Sequence, residues 1–226
     1  MMKNCIFISA GDKERFASFA VKNLIDYDII INYYGDDKEK ENYLKEKSTI
    51  FFTEKTTKFI SLKKNYELIR DKYKWVAVFD DDAKFVCGSM DELINAGEKY
   101  NLIIISGCHV DKISYKLHEV PDKKYKIRFT NFIEMNFPVF KNEYLAKYMD
   151  KYDGGLCGWG NDFWYCNVLG SEKEFNMGIL DTVIIENPLY NNAISTYMTD
   201  TDREKQWKYY KEIYSLEEWK PSQLYK

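Results

Sequence analysis

An α/β fold is predicted for this chain, with a mixed, mostly parallel central sheet flanked by helices in a single domain. Three observations predict it. Short apolar runs recur along the chain, among them Cys5–Ala10, Asp28–Tyr34 and Trp75–Phe79, and glycine or acidic residues close each of them. Between the runs lie segments whose apolar residues recur at helical spacing. No linker rich in Pro, Gly or Ser divides the 226 residues and no internal repeat is visible, so 1–226 reads as one domain.

The elements follow in order. Cys5–Ala10 reads as a buried first strand ended by Gly11. Asp12 is expected to cap a helix whose inner face is Phe16, Phe19, Ala20 and Leu24. Asp28–Tyr34 is the second strand, stopped by Gly35-Asp36-Asp37, and Thr49–Phe52 a short third. A second helix is expected to carry Leu62, Tyr66, Ile69 and Tyr73 on one face. The strand Trp75–Phe79 then runs straight into Asp80-Asp81-Asp82. Ser89-Met90-Asp91-Glu92 has the form of a capping box and opens another helix. Leu102–Ser106 is a buried strand, Tyr125–Phe132 is extended, Asn142–Tyr152 is helical and Gly178–Glu186 holds a last strand. A final helix over about Asp202–Tyr214 is expected to turn Trp207, Tyr210 and Tyr214 inward.

The composition excludes several classes. A net charge of −3 offers no basic surplus for nucleic acid, and the cluster Lys123, Lys124, Lys126 and Arg128 reads as a solvated face. No apolar run approaches the ~20 residues needed to span a bilayer. The N-terminus lacks the apolar core of a signal peptide. Five scattered cysteines without a C-x-x-C pair read as reduced thiols, which points to the cytoplasm. His109 and His118 have no zincin spacing, and no phosphate-binding P-loop, nucleophile elbow or dinucleotide fingerprint occurs.

Chemistry concentrates in three places. Alternate residues of an extended chain face the same way, so Asp80 and Asp82 can share one space while Asp81 points elsewhere. Two carboxylates at a strand end suit Mg2+ or Mn2+, whose remaining ligands are water and substrate phosphate. A strand-to-turn junction is the plain alternative, but three acids after an apolar strand are costly without a cation, which favours the metal. Next, the glycines of Gly154-Gly155-Leu156-Cys157-Gly158-Trp159-Gly160-Asn161-Asp162 allow close backbone approach, and the indole offers a flat face to a sugar. Asp162 at a helix start is either a general base for an acceptor hydroxyl or an acid stabilised by the helix dipole; the residues alone leave both open. Finally, Glu134 interrupts the apolar stretch Arg128–Phe140, as a structural pair or facing a pocket.

Taken in order, these motifs resemble the GT-A glycosyltransferases, and most closely a poorly characterised group of glycosyltransferases within that superfamily. The resemblance runs from Asp28–Gly35 through Lys58-Phe59, the Asp80-Asp81-Asp82 strand and Arg128–Phe140 to Gly158-Trp159-Gly160-Asn161-Asp162, and reaches about Glu186. The G-W-G followed by an acid is also similar to the acceptor-side motif of galactosyltransferases. The resemblance implies a GT-A sheet with a nucleotide-binding half over 1–105 and an acceptor-binding half over 106–226. It implies transfer of a sugar from a nucleotide-sugar donor, UDP-linked by preference, to a carbohydrate or glycan, with Mn2+ or Mg2+ as cofactor. Ala10, Gly11 and Arg15 follow the first strand where the nucleotide sits, Lys58 is expected to reach donor phosphate, and Asp80, Asp81 and Trp159 complete the donor side. Asp162 and Glu134 are the expected catalytic acids beside sugar and acceptor. Asp80 and Asp82 are the expected metal ligands. The family often has a histidine after the last strand; here Ile185-Glu186-Asn187-Pro188 stands, with Asn187 the expected third ligand and Glu186 an alternative. Two other readings stand beside this one: a non-catalytic nucleotide-sugar-binding module, and an aspartyl-nucleophile phosphohydrolase, which normally carries its D-x-D first in the chain.

Overall fold

A computed structural model describes residues 2–110, 115–121, 125–156, 158–170, 173–186 and 199–225. Asn187, Cys157 and the Lys123-Lys124 part of the basic cluster lie outside the described residues. The first half alternates strand and helix: β1 (Lys3–Ala10), α1 (Phe16–Asn23), β2 (Asp28–Tyr33), α2 (Lys38–Lys47), β3 (Ile50–Phe52), α3 (Lys58–Asn65) and β4 (Tyr73–Asp80). Then come β5 (Lys84–Cys87), α4 (Met90–Lys99), β6 (Ile104–His109), β7 (Arg128–Thr130), β8 (Val139–Lys141), α5 (Asn142–Lys151), α6 (Asn161–Val168), β9 (Met177–Glu186), α7 (Asp200–Ile213) and β10 (Gln223–Tyr225).

The strands form one mixed sheet in the order β10-β7-β9-β6-β8-β4-β1-β2-β3, with β5 paired to the far end of β9. The longest ladders are parallel: β1 with β2, β1 with β4, and β6 with β9. β8 enters antiparallel between β4 and β6, which joins the two parallel blocks. The pleat sends alternate residues of each strand to opposite faces. Phe7, Val76 and Val78 pack with α3, α5 and α6 on one face; Ile6, Ile8, Ala77 and Phe79 pack with α1 and α4 on the other. A strand buried on both sides has to be apolar throughout, which is why the runs around Ile6 and Val78 carry so few polar residues. Ser9 and Asp80 are paired in register at the carboxyl ends of β1 and β4, the end of a parallel sheet where ligands bind.

Several expectations are corrected in detail. Asp12 does not cap α1, whose preceding residue is Arg15; its carboxylate instead accepts from Tyr33 Oη at 2.5 Å and from the amides of Asp36 and Asp37. Phe19 is exposed rather than inward. The second helix ends at Asn65 and continues as a 3-10 turn, Tyr66–Leu68, while Tyr73 opens β4; Leu62, Tyr66 and Ile69 are nevertheless all buried. Ser89 caps α4 by accepting from the Glu92 amide at 3.3 Å. α2 has no apolar stripe to announce it, since Leu44 is its one buried residue, so hydrophobic periodicity cannot find it. It is held by Asp37, which accepts from the Glu39 and Lys40 amides, with acids in its first turn and lysines in its last. In α7, Trp207 is buried but Tyr214 stays largely exposed, laid against Trp164 with centroids 4.7 Å apart. Among the described residues no helix is long and apolar enough to cross a membrane.

Candidate active site

The acidic triplet stands where β4 leaves the sheet, and its three members have different surroundings. Asp80 closes the strand with its carboxylate on the α3 face. Asp81 turns back under the loop that follows β1: Oδ2 accepts from the Gly11 amide at 2.7 Å and from Tyr34 Oη at 3.1 Å, and its carbonyl accepts from the amides of Arg15 and Phe16. The Ala10–Arg15 loop is thereby moored to the triplet. A Cβ at Gly11 would lie 2.6 Å from the Tyr34 ring, so a side chain there would have to displace the phenol that binds Asp81. Burial holds the Asp81 carboxyl up at about 6, and it drives the Tyr34 phenol well above its ordinary range. Asp82 is pushed up to about 7, first by burial and then by the charges of Asp80 and Asp81. Among the described residues no basic group stands within salt-bridge distance of Asp82.

A non-strand segment, Ile133–Asn136, crosses beside the triplet, and side chains from three elements hold its backbone. The Ile133 carbonyl accepts from Tyr165 Oη of α6. The Glu134 amide donates to His118 Nε2 at 3.2 Å. The Met135 amide faces the Asp162 carboxylate and opposes, weakly, the rise that burial imposes on it. The carbonyls of Met135 and Asn136 accept from Lys58 Nζ at 2.6 and 3.4 Å, and Asn136 also accepts from the Asp80 amide. Lys58, 5% exposed at the start of α3, completes its set with a 2.8 Å ion pair to Asp80 Oδ1. Glu134 is therefore buried on a rigidly held backbone, one to two residues from the carbonyls that Lys58 binds. His118 is fully buried, which pushes its imidazole far below the usual range and keeps it neutral, as an acceptor must be.

On the far side of that segment lies the glycine loop. Gly160 has φ +94°, and a Cβ there would meet Trp207 at 2.0 Å, so the bend into α6 admits only glycine. Asn161 ties the loop down: its amide nitrogen donates to the carbonyls of Leu156 and Gly158, and Oδ1 accepts from Tyr148 Oη. This leaves Trp159 47% exposed, with the Arg203 guanidinium of α7 5.9 Å from its ring centroid. Asp162, in the first turn of α6, accepts from the Phe163 amide at 2.9 Å, and burial raises its carboxyl to about 7. A carboxyl poised there can exchange a proton near neutral pH.

The structure thus brings together Asp80, Asp82, Lys58, Glu134 and Asp162 around one backbone segment, with Ala10, Gly11 and Arg15 beside Asp81. Trp159 sits on the rim toward α7. Asn187 lies outside the described residues, but its neighbour Glu186 ends β9 in register with Lys84, two residues past Asp82, and pairs with it at 3.8 Å. Among the described residues no three His, Cys, Asp or Glu side chains are grouped to hold a metal on their own. Sequence reasoning missed His118, Tyr34 and Tyr165 as supports of the site. Nothing in their local pattern marks them, since their partners lie 16, 47 and 32 residues away.

Comparison with known proteins gives the fold a reference. No family model matches the chain, and no curated protein is similar to it in sequence. Among solved structures, GalNAc-T7 with UDP, GalNAc and Mn2+ is similar over 94% of this chain and 49% of that one, with a TM-score of 0.67 and 10% identity. The chain has a GT-A-like fold. It spans about half the length of that chain. A197 from STIV matches more loosely, with a TM-score of 0.46 and 13% identity over 84% of this chain and 87% of that one.

Proposed function

We propose that the chain is a metal-dependent glycosyltransferase, one domain that moves a sugar from a nucleotide-sugar donor, UDP-linked by preference, to a carbohydrate or glycan acceptor. The observation that carries this reading is the acidic triplet with Lys58 at the carboxyl ends of the β1 and β4 strands of a GT-A-like fold, with the poised Asp162 on the other side of the Ile133–Asn136 segment. The similar GalNAc-T7 structure, with UDP and Mn2+, supports the choice of donor and ion.

The acids fit a divalent ion. Burial first, and then the charges of Asp80 and Asp81, raise the Asp82 carboxyl to about 7 against the weaker opposing charge of Lys58, a penalty that a hard cation would remove. Asp80 and Asp82 would hold Mn2+ or Mg2+, with Asn187 as the proposed third protein ligand. When bound, the ion neutralises the departing diphosphate. The loop Ala10–Arg15, moored by Asp81, receives the nucleotide, within a nucleotide-binding half over 1–105. Trp159 offers its exposed face to a sugar, within an acceptor-binding half over 106–226. In an inverting transfer the acceptor oxygen forms the new bond to the anomeric carbon as the bond to phosphate breaks. Asp162 takes the acceptor's proton, and Glu134 orients the acceptor.

Calorimetric titration of UDP- and GDP-sugars with and without Mn2+, followed by a product assay with free glycans, tests the reading. Manganese-dependent binding of one donor with sugar transfer is the expected result. Binding without turnover would instead make the chain a nucleotide-sugar-binding module. Absence of any nucleotide-sugar binding would overturn the proposal.

A further inference from the structure

We propose that Lys58 is a resident cation at Asp80 that makes metal uptake wait for the nucleotide, so that metal and diphosphate load together. This rests on the metal-dependent reading above and adds an order to it. The Lys58 ammonium has three protons and is surrounded by three oxygens, Asp80 Oδ1 at 2.8 Å, the Met135 carbonyl at 2.6 Å and the Asn136 carbonyl at 3.4 Å. It is buried to 5% exposure, while Asp80 is a third exposed on its side chain, so Asp80 is gripped from within and open from without. The cation supply is uneven, because Asp82 has no such partner among the described residues.

A divalent ion that takes both acids has to share Asp80 with a positive charge already on it. Like charges at close range in a partly buried site repel strongly, so the ion alone binds weakly. A nucleoside diphosphate changes the balance. Its oxyanions supply further metal ligands and a second counter-charge for the ammonium, which offsets the repulsion. Lys58 cannot retreat into solvent to escape the ion, since it is buried and its two carbonyl bonds fix its head to the Met135–Asn136 backbone. An exposed lysine would swing away and leave metal uptake independent of the nucleotide.

Mn2+ binding, measured by calorimetry and by loss of the free-ion electron paramagnetic resonance signal, tests this on the full chain and on Lys58→Gln, with and without UDP. Glutamine keeps a donor for the Met135 carbonyl and removes the charge. The native protein is expected to bind Mn2+ at least about tenfold more tightly with UDP present. Lys58→Gln is expected to bind Mn2+ alone about tenfold more tightly than the native protein, and to gain less than about threefold from UDP. A merely structural lysine gives the opposite sign, a lower melting temperature with weaker metal binding. Equal Mn2+ affinity of the two proteins without UDP, or an equal gain from UDP in both, overturns the inference and leaves the proposed function standing. If the native protein takes up Mn2+ neither alone nor with UDP, the function reading falls and the inference with it. Should Lys58→Gln fail to fold, the native protein still decides: Mn2+ affinity that UDP does not change refutes the gate.

Discussion

Replacing Asp82 with asparagine is expected to stabilise the metal-free protein. The folded state holds this carboxyl at about 7, against an ordinary value of 3.8, through burial and the charges of Asp80 and Asp81. Because the folded pKa lies above the unfolded one, the folded protein keeps the proton over a range where the unfolded chain has lost it. Stability therefore falls as pH rises from about 4 to about 7 and stays level above that. Moving a carboxyl that far corresponds to at most ~4 kcal/mol. Asp82 is only partly buried, and solvent screening reduces this to ~1–2 kcal/mol. In a chain of 226 residues that is a rise in melting temperature of about 2 to 8 °C. The assay is thermal unfolding of both proteins in a chelator at several pH values between 4 and 8. The gain of Asp82→Asn should be largest at pH 8 and shrink toward pH 4. Adding Mn2+ with UDP should then stabilise the native protein far more than the variant. A variant that gains nothing at pH 8, or gains equally at every pH, would refute the claim that crowded charge is the cause.

Three further outcomes follow from the same geometry. Gly160→Ala combines a backbone at φ +94° with a Cβ 2.0 Å from Trp207, so it should cost about 2–4 kcal/mol in denaturant unfolding; a loss under about 1 kcal/mol would mean that the loop and α7 separate easily. The Arg128–Asp181 pair is buried at 2.7 Å, so Asp181→Ala, which leaves the guanidinium without its carboxylate, should cost ~3–5 kcal/mol, while a neutral result would show that the Leu117 and Glu119 carbonyls suffice. If Asp162 is the base, transfer should rise with pH through about 7, and Asp162→Asn should lower kcat by roughly 100-fold or more with little change in donor affinity; a flat profile between pH 6 and 8 removes it from that role.

What the sequence determined by itself is local in origin. The β1, β2 and β4 runs are apolar because both faces of a parallel sheet are covered, and that is visible without any partner. Asp80-Asp81-Asp82 at a strand end and the glycine loop before Asp162 are likewise contiguous patterns with a physical meaning. α2 escaped because a helix with one buried residue has no apolar period, and Asp12 was misjudged because its real partners, Tyr33, Asp36 and Asp37, lie across a strand and a turn. The distribution of charge at the site was decided by tertiary structure alone. Identical residues in the triplet received an ion pair, a set of amide and phenol donors, and, among the described residues, no ion pair at all, and the difference comes from α3, the loop after β1 and the Ile133–Asn136 segment. The same holds for Met135, whose carbonyl accepts from Lys58 while its amide faces Asp162. Hydrogen bonds and ion pairs act over a few ångström of space and are indifferent to the separation of 77 positions from Lys58 to Met135, so no pattern along the chain can announce them.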